Sequence, residues 1–336
     1  MNNEIYKKEL FSHINGITLI PTLDALIKTN LIDIIISQES FSINSIHDTK
    51  RVNKGYVNVT IRLLYSMGFL DFKIDNNNEL ENIYIINNNL LEIINHKIEI
   101  QKISEINYYH INFNKLTKKD ISYFTILIED IIYIFENKNI DLKLFFEGVV
   151  LGPLLANIGF NKQLNIRMDG SIKIKELNSD LTLAVIKLFS YFKLIKLVNN
   201  KAFLNDKGKY FFNRIAAYGV TSSYLPMLSR ISDLLIGDFS FIWNRNENND
   251  EIHVNRSMNV WGSGGAHKTY FKKIDNLIKK IFNQDLSNQP IGIIDIGCGD
   301  GTFLKHVYNI ITENTLRGKC LDTNPLIMVG TDINKA

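Results

Sequence analysis

One short segment of the chain combines acidic and glycine residues in a pattern suited to binding a polar ligand. It reads Asp295-Ile296-Gly297-Cys298-Gly299-Asp300-Gly301 and precedes a helical pattern that begins at Thr302. Alternate glycines remove the Cβ atoms where a ligand approaches the backbone, and a helix N-terminus offers unpaired N–H groups. We therefore expect this loop to hold the polar or anionic end of a ligand, with Cys298 as a small residue that fills the tight turn.

Two acidic residues beside the loop narrow the choice of ligand. Asp295 stands just before the first glycine and suits an ammonium group, whereas Asp332 follows the next apolar run and is placed to bind two ribose hydroxyls. The dinucleotide fingerprint is not met, because Thr302 stands where its third glycine would fall. S-adenosylmethionine has both an amino-acid end and a nucleoside end. Another nucleotide, or a purely structural turn, remains an alternative.

The elements around the loop form one βαβ unit. Residues 291–296 are nearly all apolar, which is typical of a parallel strand buried on both faces, and residues 326–329 form a second such run. A helix over 302–316 connects them. Asp332 lies 35 residues after Gly297, where about 20 is usual for a ribose-binding acid. The connection is therefore long, and residues 315–325 are expected to form an extra turn.

This loop matches the D/E-x-G-x-G-x-G motif, and the chain resembles the class I methyltransferases that carry it. A closer resemblance rests on Asn259-Val260-Trp261-Gly262-Ser263-Gly264-Gly265-Ala266-His267, Thr315–Lys319, Asn324–Leu326 and Tyr218–Pro226. These segments are similar to the methyltransferases of bacterial polyketide synthase loading modules, the type found in apratoxin and gephyronic acid assembly. The resemblance implies that the N-terminal half is a helical lid over the active site.

The resemblance also implies a cofactor, an activity and partners. S-adenosylmethionine would be bound by Asp295, Gly297, Cys298, Gly299, Gly301 and Asp332. The reaction would be C-methylation of a malonyl group on an acyl carrier protein, with downstream polyketide synthase domains as further partners. A divalent metal ion, iron or manganese, would assist, and we expect its ligands and the catalytic base to lie beyond residue 336.

The N-terminal half contains two similar patterns of helix and hairpin. Helical stripes from Pro21 and Gly55, a short helix near 42–48 and a hairpin over 69–86 have the order of a winged-helix module. The segment Ile61–Leu64 aligns without gaps with Ile186–Phe189, which a second hairpin follows. Between the two patterns, 121–135 and 142–158 are predicted helices, the latter interrupted at Gly152-Pro153.

The predicted fold class is mixed: a mainly α-helical lid with two winged-helix-like units, then the first βαβ of a Rossmann-like methyltransferase domain. The predicted boundaries are 1–95 for the first unit, 96–165 for a helical connector, 166–243 for the second unit with a lid helix, and 252–336 for the methyltransferase part. Two strands cannot complete such a domain. We therefore expect these residues to be the front part of a longer polypeptide that is inactive alone.

Weaker candidates accompany these predictions. His267 and Tyr270, one helical turn apart near a predicted helix start, are candidate proton carriers or metal ligands, although a cap or surface role is the commoner one. The segment 261–265 is either a flexible connector or a contact to the cofactor or substrate. Basic residues near the first winged helix favour a solvated surface over a DNA contact: Lys50, Arg51, Lys54 and Arg62.

The composition of the chain limits the classes of protein to which it could belong. The net charge of +3 over 336 residues favours neither nucleic acid nor a membrane surface, and two cysteines make no disulfide framework. The strongest apolar run, Leu31–Ile36, is broken by Asp33 and is far shorter than the ~18 residues of a membrane span. We expect a cytoplasmic protein. Two other functions stay open: a small-molecule O-methyltransferase with a winged helix for dimerisation, and a DNA-binding or scaffolding protein with a vestigial cofactor motif.

Overall fold

The computed structural model describes residues 2–74, 82–138 and 143–332. The chain divides after Asn255 into two compact units. The helices of the first unit are α1 (Asn2–Lys28), α2 (Leu31–Ile36), α3 (Ile43–Thr49), α4 (Lys54–Ser66), α5 (Asn88–Ile94), α6 (Lys97–Ser104), α7 (Ile106–Ile111), α8 (Lys118–Asn137), α9 (Lys143–Phe160), α10 (Ser179–Tyr191), α11 (Asp206–Phe212), α12 (Gly219–Ser223), α13 (Leu225–Leu228) and α14 (Ile231–Ile236). Its strands are β1 (Ser40–Phe41), β2 (Leu70–Ile74), β3 (Asn82–Ile86), β4 (Leu164–Ile166), β5 (Ser171–Ile174), β6 (Ile195–Val198) and β7 (Lys201–Leu204).

The first winged-helix module has the expected order of elements. Helices α3 and α4 are followed by the antiparallel hairpin of β2 and β3, and β1 adds a third strand beside β3. Ser42 and Asn53 cap the two helices by accepting hydrogen bonds from first-turn N–H groups, which explains where each helix begins. The predicted hairpin is confirmed. The tip of the predicted hairpin, residues 75–81, lies outside the described residues.

The second module repeats the first at a constant offset. Helix α4 covers residues 54–66 and α10 covers residues 179–191, so both ends differ by 125 positions. The residues that follow each helix, Gly68 and Lys193, both have positive φ, at 80° and 55°. The ungapped internal match is therefore confirmed. The sequence did not predict the hairpin of β4 and β5, which extends this sheet to the order β4-β5-β7-β6.

Helices α1 and α9 form the centre of the first unit. They cross so closely that a Cβ on Gly16 would meet the backbone of Phe145, and one on Gly148 would meet the backbone of His13. The predicted interruption of α9 is wrong, because the helix continues through Pro153. The start predicted at Pro21 is also wrong, since α1 contains this proline. Burial of both helices in this core outweighs the loss of one backbone hydrogen bond at each proline.

The same two helices are long and apolar enough to cross a membrane by length and composition alone. The predicted strongest apolar run is Leu31–Ile36, and neither of these two helices was predicted to be long and apolar enough to cross a membrane. About two thirds of the apolar window in α1 and 72% of that in α9 are buried in the unit. The core helices of proteins that do not enter membranes have the same property, so this finding alone does not indicate a membrane span.

A neutral histidine lies against α9. His110 in α7 is 2% exposed, and its ring nitrogens have no hydrogen-bond partner in the described part of the chain. Burial lowers the pKa of His110 to about 3, while the neighbouring carbonyls of Val149 and Val150 act weakly in the opposite direction. Burial therefore keeps the ring of His110 neutral at pH 7.

The second unit is an α/β arrangement. Its elements are α15 (Arg256–Phe271), a 3-10 helix (Lys272–Ile274), α16 (Asp275–Phe282), a second 3-10 helix (Leu286–Asn288), β8 (Gly292–Ile296), α17 (Thr302–Asn314), α18 (Leu316–Lys319) and β9 (Ile327–Thr331). Strands β8 and β9 are parallel, with Ile293 opposite Met328. Both side chains pack against the core formed by Phe282, Val307 and Ile311. The predicted βαβ unit and its extra turn, α18, are confirmed.

The other face of this sheet is open. Ile294 and Ile296 in β8 are 67% and 85% exposed, and Ile327 and Val329 in β9 are 58% and 39% exposed. The burial on both faces that is typical of an apolar run such as 291–296 is not reached in the described residues, because α16 and α17 cover only one face. This agrees with the expectation that two strands do not complete a domain of this kind. Two strands and their helices leave the second apolar face in contact with water.

The crossing of α1 and α9 predicts a strong effect of added volume. We expect Gly16→Ala to lower the free energy of unfolding by about 2 kcal/mol or more, since backbones must separate and overpacking typically costs ~1–3 kcal/mol. Gly55→Ala, at an exposed position of α4, is the matched control and should be neutral or stabilising by up to about 1 kcal/mol. Urea unfolding followed by circular dichroism measures both. Equal stability of the two variants would contradict the close crossing.

Burial of His110 predicts loss of stability in acid. In the unfolded chain the His110 ring binds a proton near pH 6.5, whereas in the folded chain it does so only near pH 3. The free energy of unfolding is therefore unaffected by the titration of this ring above pH 6.5 and decreases as the pH falls from 6.5 towards 3. The slope attributable to His110 is about 1.4 kcal/mol per pH unit. His110→Gln should remove this slope between pH 6.5 and 4.5 in urea titrations. His96→Gln, at a partly exposed ring, is the control, and an unchanged slope in His110→Gln would refute the assignment.

Candidate functional site

The glycine loop between β8 and α17 is built from positive backbone angles. Gly297, Gly299 and Gly301 have φ values of 81°, 57° and 74°. L residues with a side chain rarely adopt this region, so each glycine in the alternate pattern is required by the turn itself. A Cβ at Gly297 or Gly301 would meet no atom within 4 Å. At these two positions it is therefore backbone strain, rather than a clash with a described residue, that excludes a side chain.

Hydrogen bonds tie the loop to the end of β9. The N–H groups of Gly297 and Cys298 both donate to the carbonyl of Thr331, at 2.7 and 3.1 Å. The N–H of Gly299 donates to Oδ2 of Asp332 at 2.9 Å. Residues that are 33 positions apart in the sequence are thus in direct contact. The structure brings Asp332 to the glycine loop, as the parallel pairing of two consecutive strands requires.

The N-terminus of α17 completes the loop. Gly301 is the residue before the helix, and its N–H donates to the carbonyl of Cys298 at 3.0 Å. Asp300 accepts a hydrogen bond from the N–H of Thr302 at 3.0 Å. The partial positive charge of a helix N-terminus favours anionic groups nearby, and Asp300 already uses one of these donors. The remaining first-turn amides lie beside the loop.

Cys298 fills the space behind the loop. Its Sγ lies 3.0 Å from the position that a Cβ on Gly330 would take, and Leu304 lies 3.3 Å from the same position. Gly330 therefore leaves room for two neighbours at the point where the strand pair meets the loop. This packing is the small-residue role expected for Cys298. Asp295 pairs with Gly330 in the strand register and is half-buried.

Helix α15 lies beside the loop within the same unit. Val260 Cγ1 is 3.3 Å from where a Cβ on Gly299 would stand, and Asp300 Oδ2 is 3.8 Å from a Cβ on Gly264. The flexible-connector reading of 261–265 is wrong, because the segment is helical. Burial of one helix face against the loop overcomes the low helix propensity of three glycines. Sequence reasoning did not single out Val260, although the quoted segment contains it.

The weak candidates His267 and Tyr270 were expected near a helix start. They lie instead in the second half of α15, which begins at Arg256, so that expectation is wrong. The side chain of His267 falls outside the described part of the chain. Tyr270 is 60% exposed, and the ammonium group of Lys273 lies 5.4 Å from its ring centroid. Tyr270 is a surface residue with a cation beside it.

A buried arginine fixes the ends of both strands. Arg317 in α18 is 3% exposed, and its Nε donates to Oε1 of Gln289 at 2.9 Å. Its other nitrogens donate to the carbonyls of Pro290, at 3.2 Å, and Pro325, at 3.3 Å. These prolines stand shortly before β8 and β9. The long connection therefore contains a clamp that holds the strands in parallel register.

The basic residues of the first winged helix have internal partners. Lys50 donates to the carbonyl of Thr29, and Lys54 donates to Asn44. In the second module, α8 packs along α10, the helix that corresponds to a recognition helix, and Glu129 forms an ion pair with Lys187 across this contact. One side of that helix is therefore covered by protein. Arg51 and Arg62 lie on the surface.

Comparison with known families assigns three parts of the chain. Residues 6–72 match the AprA N-terminal domain, residues 147–238 match the AprA winged helix domain, and residues 251–336 match the AprA MT2-like domain. No curated protein matches the chain. The last match contains the loop, its two acidic residues and α15. Three domains of one type, in consecutive order, identify the chain as a member of the AprA-type methyltransferases.

Proposed function

We propose that this protein is an S-adenosylmethionine-dependent methyltransferase that methylates a carbon of a malonyl or acyl group on an acyl carrier protein in polyketide biosynthesis. The observation that carries the proposal is the glycine loop bonded to Asp332. Three positive-φ glycines leave one side of this loop without side chains, and carboxylates stand at both of its ends. The match to AprA-type domains favours this reaction over O-methylation of a small molecule.

The residues of the loop fit the two ends of the cofactor. Asp295 would pair with the ammonium group, and the carboxylate of Asp332 would accept hydrogen bonds from the ribose hydroxyls. The loop backbone and the first turn of α17 would face the polar atoms between these ends. When bound, S-adenosylmethionine supplies an electrophilic methyl group. The protein's own task is to hold the acceptor carbon about 3–3.5 Å from that methyl group and to exclude water.

The metal ion that the resemblance implies has no ligand set in the described residues. No three His, Cys, Asp or Glu side chains of that part of the chain lie close enough together to hold an ion. No step is therefore assigned to a metal. Deprotonation of the malonyl carbon is likewise assigned to no residue of the loop.

The open face of the two-stranded sheet supports a further part of the proposal. Parallel sheets occur almost only with both faces covered, yet Ile294, Ile296 and Ile327 are more than half exposed. In the active enzyme, we propose, additional strands and helices of the same polypeptide cover this face and the open strand edges. They would also supply the walls of the acceptor site.

A branched side chain at Gly299 should prevent cofactor binding. Gly299→Val would strain a backbone at φ 57° and press against Val260, so the loop must move. We expect S-adenosylmethionine affinity to fall at least a hundredfold, about 2.7 kcal/mol. Ligand-observed NMR, which detects millimolar binding, measures the change.

Gly170→Val is the matched control for this experiment. Gly170 also has positive φ, at 79°, with no atom within 4 Å of its Cβ position, but it lies in the turn between β4 and β5. The control should keep the wild-type affinity, and circular dichroism checks that both variants fold. If Gly299→Val bound the cofactor as tightly as Gly170→Val, the site assignment would be wrong.

A polypeptide extended beyond residue 336 should bind the cofactor more tightly. Covering Ile294, Ile296 and Ile327 would stiffen β8 and thus the loop that follows it. We expect residues 1–336 alone to bind S-adenosylmethionine at least a hundredfold more weakly than the extended chain, and to transfer no methyl group. Isotope transfer from labelled cofactor to a malonyl carrier protein measures turnover. Turnover by residues 1–336 would refute this part of the proposal.

A further inference from the structure

The segment of the 3-10 helix and α16 has two very different sides. Ile274, Ile278 and Ile281 face inward and pack against the core of Phe282, Val307 and Ile311. The outer side carries four lysines within nine residues: Lys272, Lys273, Lys279 and Lys280. Lys272 and Lys279, like Lys273 and Lys280, are seven residues apart, which is two helical turns. The four ammonium groups therefore share one arc of the surface, which we call the lysine face.

The lysine face is not neutralised by neighbouring acids. Asp275 is the one acidic residue in 272–280, and its carboxylate lies 2.8 Å from Nε2 of His306. None of the four lysines forms an ion pair with a described residue. In the first unit, eight of the 22 lysines form ion pairs with described residues. They are Lys28, Lys97, Lys102, Lys138, Lys187, Lys201, Lys207 and Lys209.

The charge of this segment is large for its length. Four lysines and one aspartate give +3 in nine residues, the same value as the formal net charge of the whole chain. Like charges on one helix face repel one another and lower helix stability. The repulsion between these lysines slightly destabilises the helix, and binding of an oppositely charged surface would relieve it.

Two large apolar side chains border the lysine face. Leu277 is 56% exposed and Tyr270 is 60% exposed, with Lys273 over the Tyr270 ring. Protein interfaces combine an apolar contact of this kind with a charged rim. A membrane surface would require a broad apolar helix face, and that face of α16 is buried in the core. The combination favours a protein partner with carboxylates around a small apolar contact.

We propose that the lysine face, with Leu277 and Tyr270, binds an acidic surface of the protein that carries the methyl acceptor. The proposal rests on the proposed function, because a carrier-bound acceptor must reach the unit that contains the glycine loop. Opposite charges raise the rate of encounter and fix the orientation of the partner. The apolar contact then provides short-range affinity.

Fluorescence anisotropy with a labelled acidic acyl carrier protein, loaded with a malonyl group, tests this surface on the full chain. Lys273→Glu/Lys280→Glu should weaken binding at least tenfold, and Leu277→Ala about threefold. The charge-matched control is Lys173→Glu/Lys196→Glu, at two exposed lysines on the sheet of the second winged helix, and it should stay within twofold of wild type. Binding by the wild type should weaken as salt rises from 50 to 300 mM.

The proposal would be overturned if the wild type showed no measurable binding to the carrier protein, or if the test and control variants lost affinity for it equally. It would also be overturned if the lysine face bound a random DNA duplex or anionic vesicles in place of the carrier. Thermal unfolding of each variant excludes loss of folding as the cause. Cofactor binding by the wild type is measured separately. If binding is detected by ligand-observed NMR while the lysine face proves irrelevant, only the docking surface is wrong. If no binding is detected even at millimolar cofactor, the proposed function fails.

Discussion

The contact between the glycine loop and the end of β9 is the interaction on which the site depends. Three loop N–H groups are used by Thr331 and Asp332, so the shape of the loop follows from the position of the second strand. That position is set in turn by Arg317, whose guanidinium bonds to carbonyl groups before both strands. A buried cation satisfied by neutral acceptors thus supports a site some distance along the strands.

Local patterns in the sequence predicted much of this arrangement. The glycine spacing predicted the loop, because positive φ is a property of single residues, and the offset between Ile61 and Ile186 predicted the second winged helix. The parallel pairing that joins Gly299 to Asp332 followed from the βαβ order. The nearly continuous apolar run 291–296 could not show which face of the sheet would be covered, since coverage depends on elements outside the strands.

Other features depended on tertiary packing and were missed. Pro21 and Pro153 look like helix boundaries in isolation, yet both lie inside helices whose burial compensates for the missing hydrogen bonds. The glycines of α15 similarly resemble a connector, although the helix packs against the loop at Val260. The role of Arg317 has no local signal at all, because its acceptors are brought together only by the fold.

The close crossing of α1 and α9 also has a consequence for synthesis of the chain. Helix α9 begins 115 residues after α1 ends, and translation adds about 5–20 residues per second. For roughly 6 to 23 s, therefore, an apolar 27-residue helix has left the ribosome without the partner that buries it. During this interval α1 has the length and composition of a segment that membrane-targeting factors bind. The elements made before α9 that contact α1, such as α2 and α4, are the first partners that shield this helix from water.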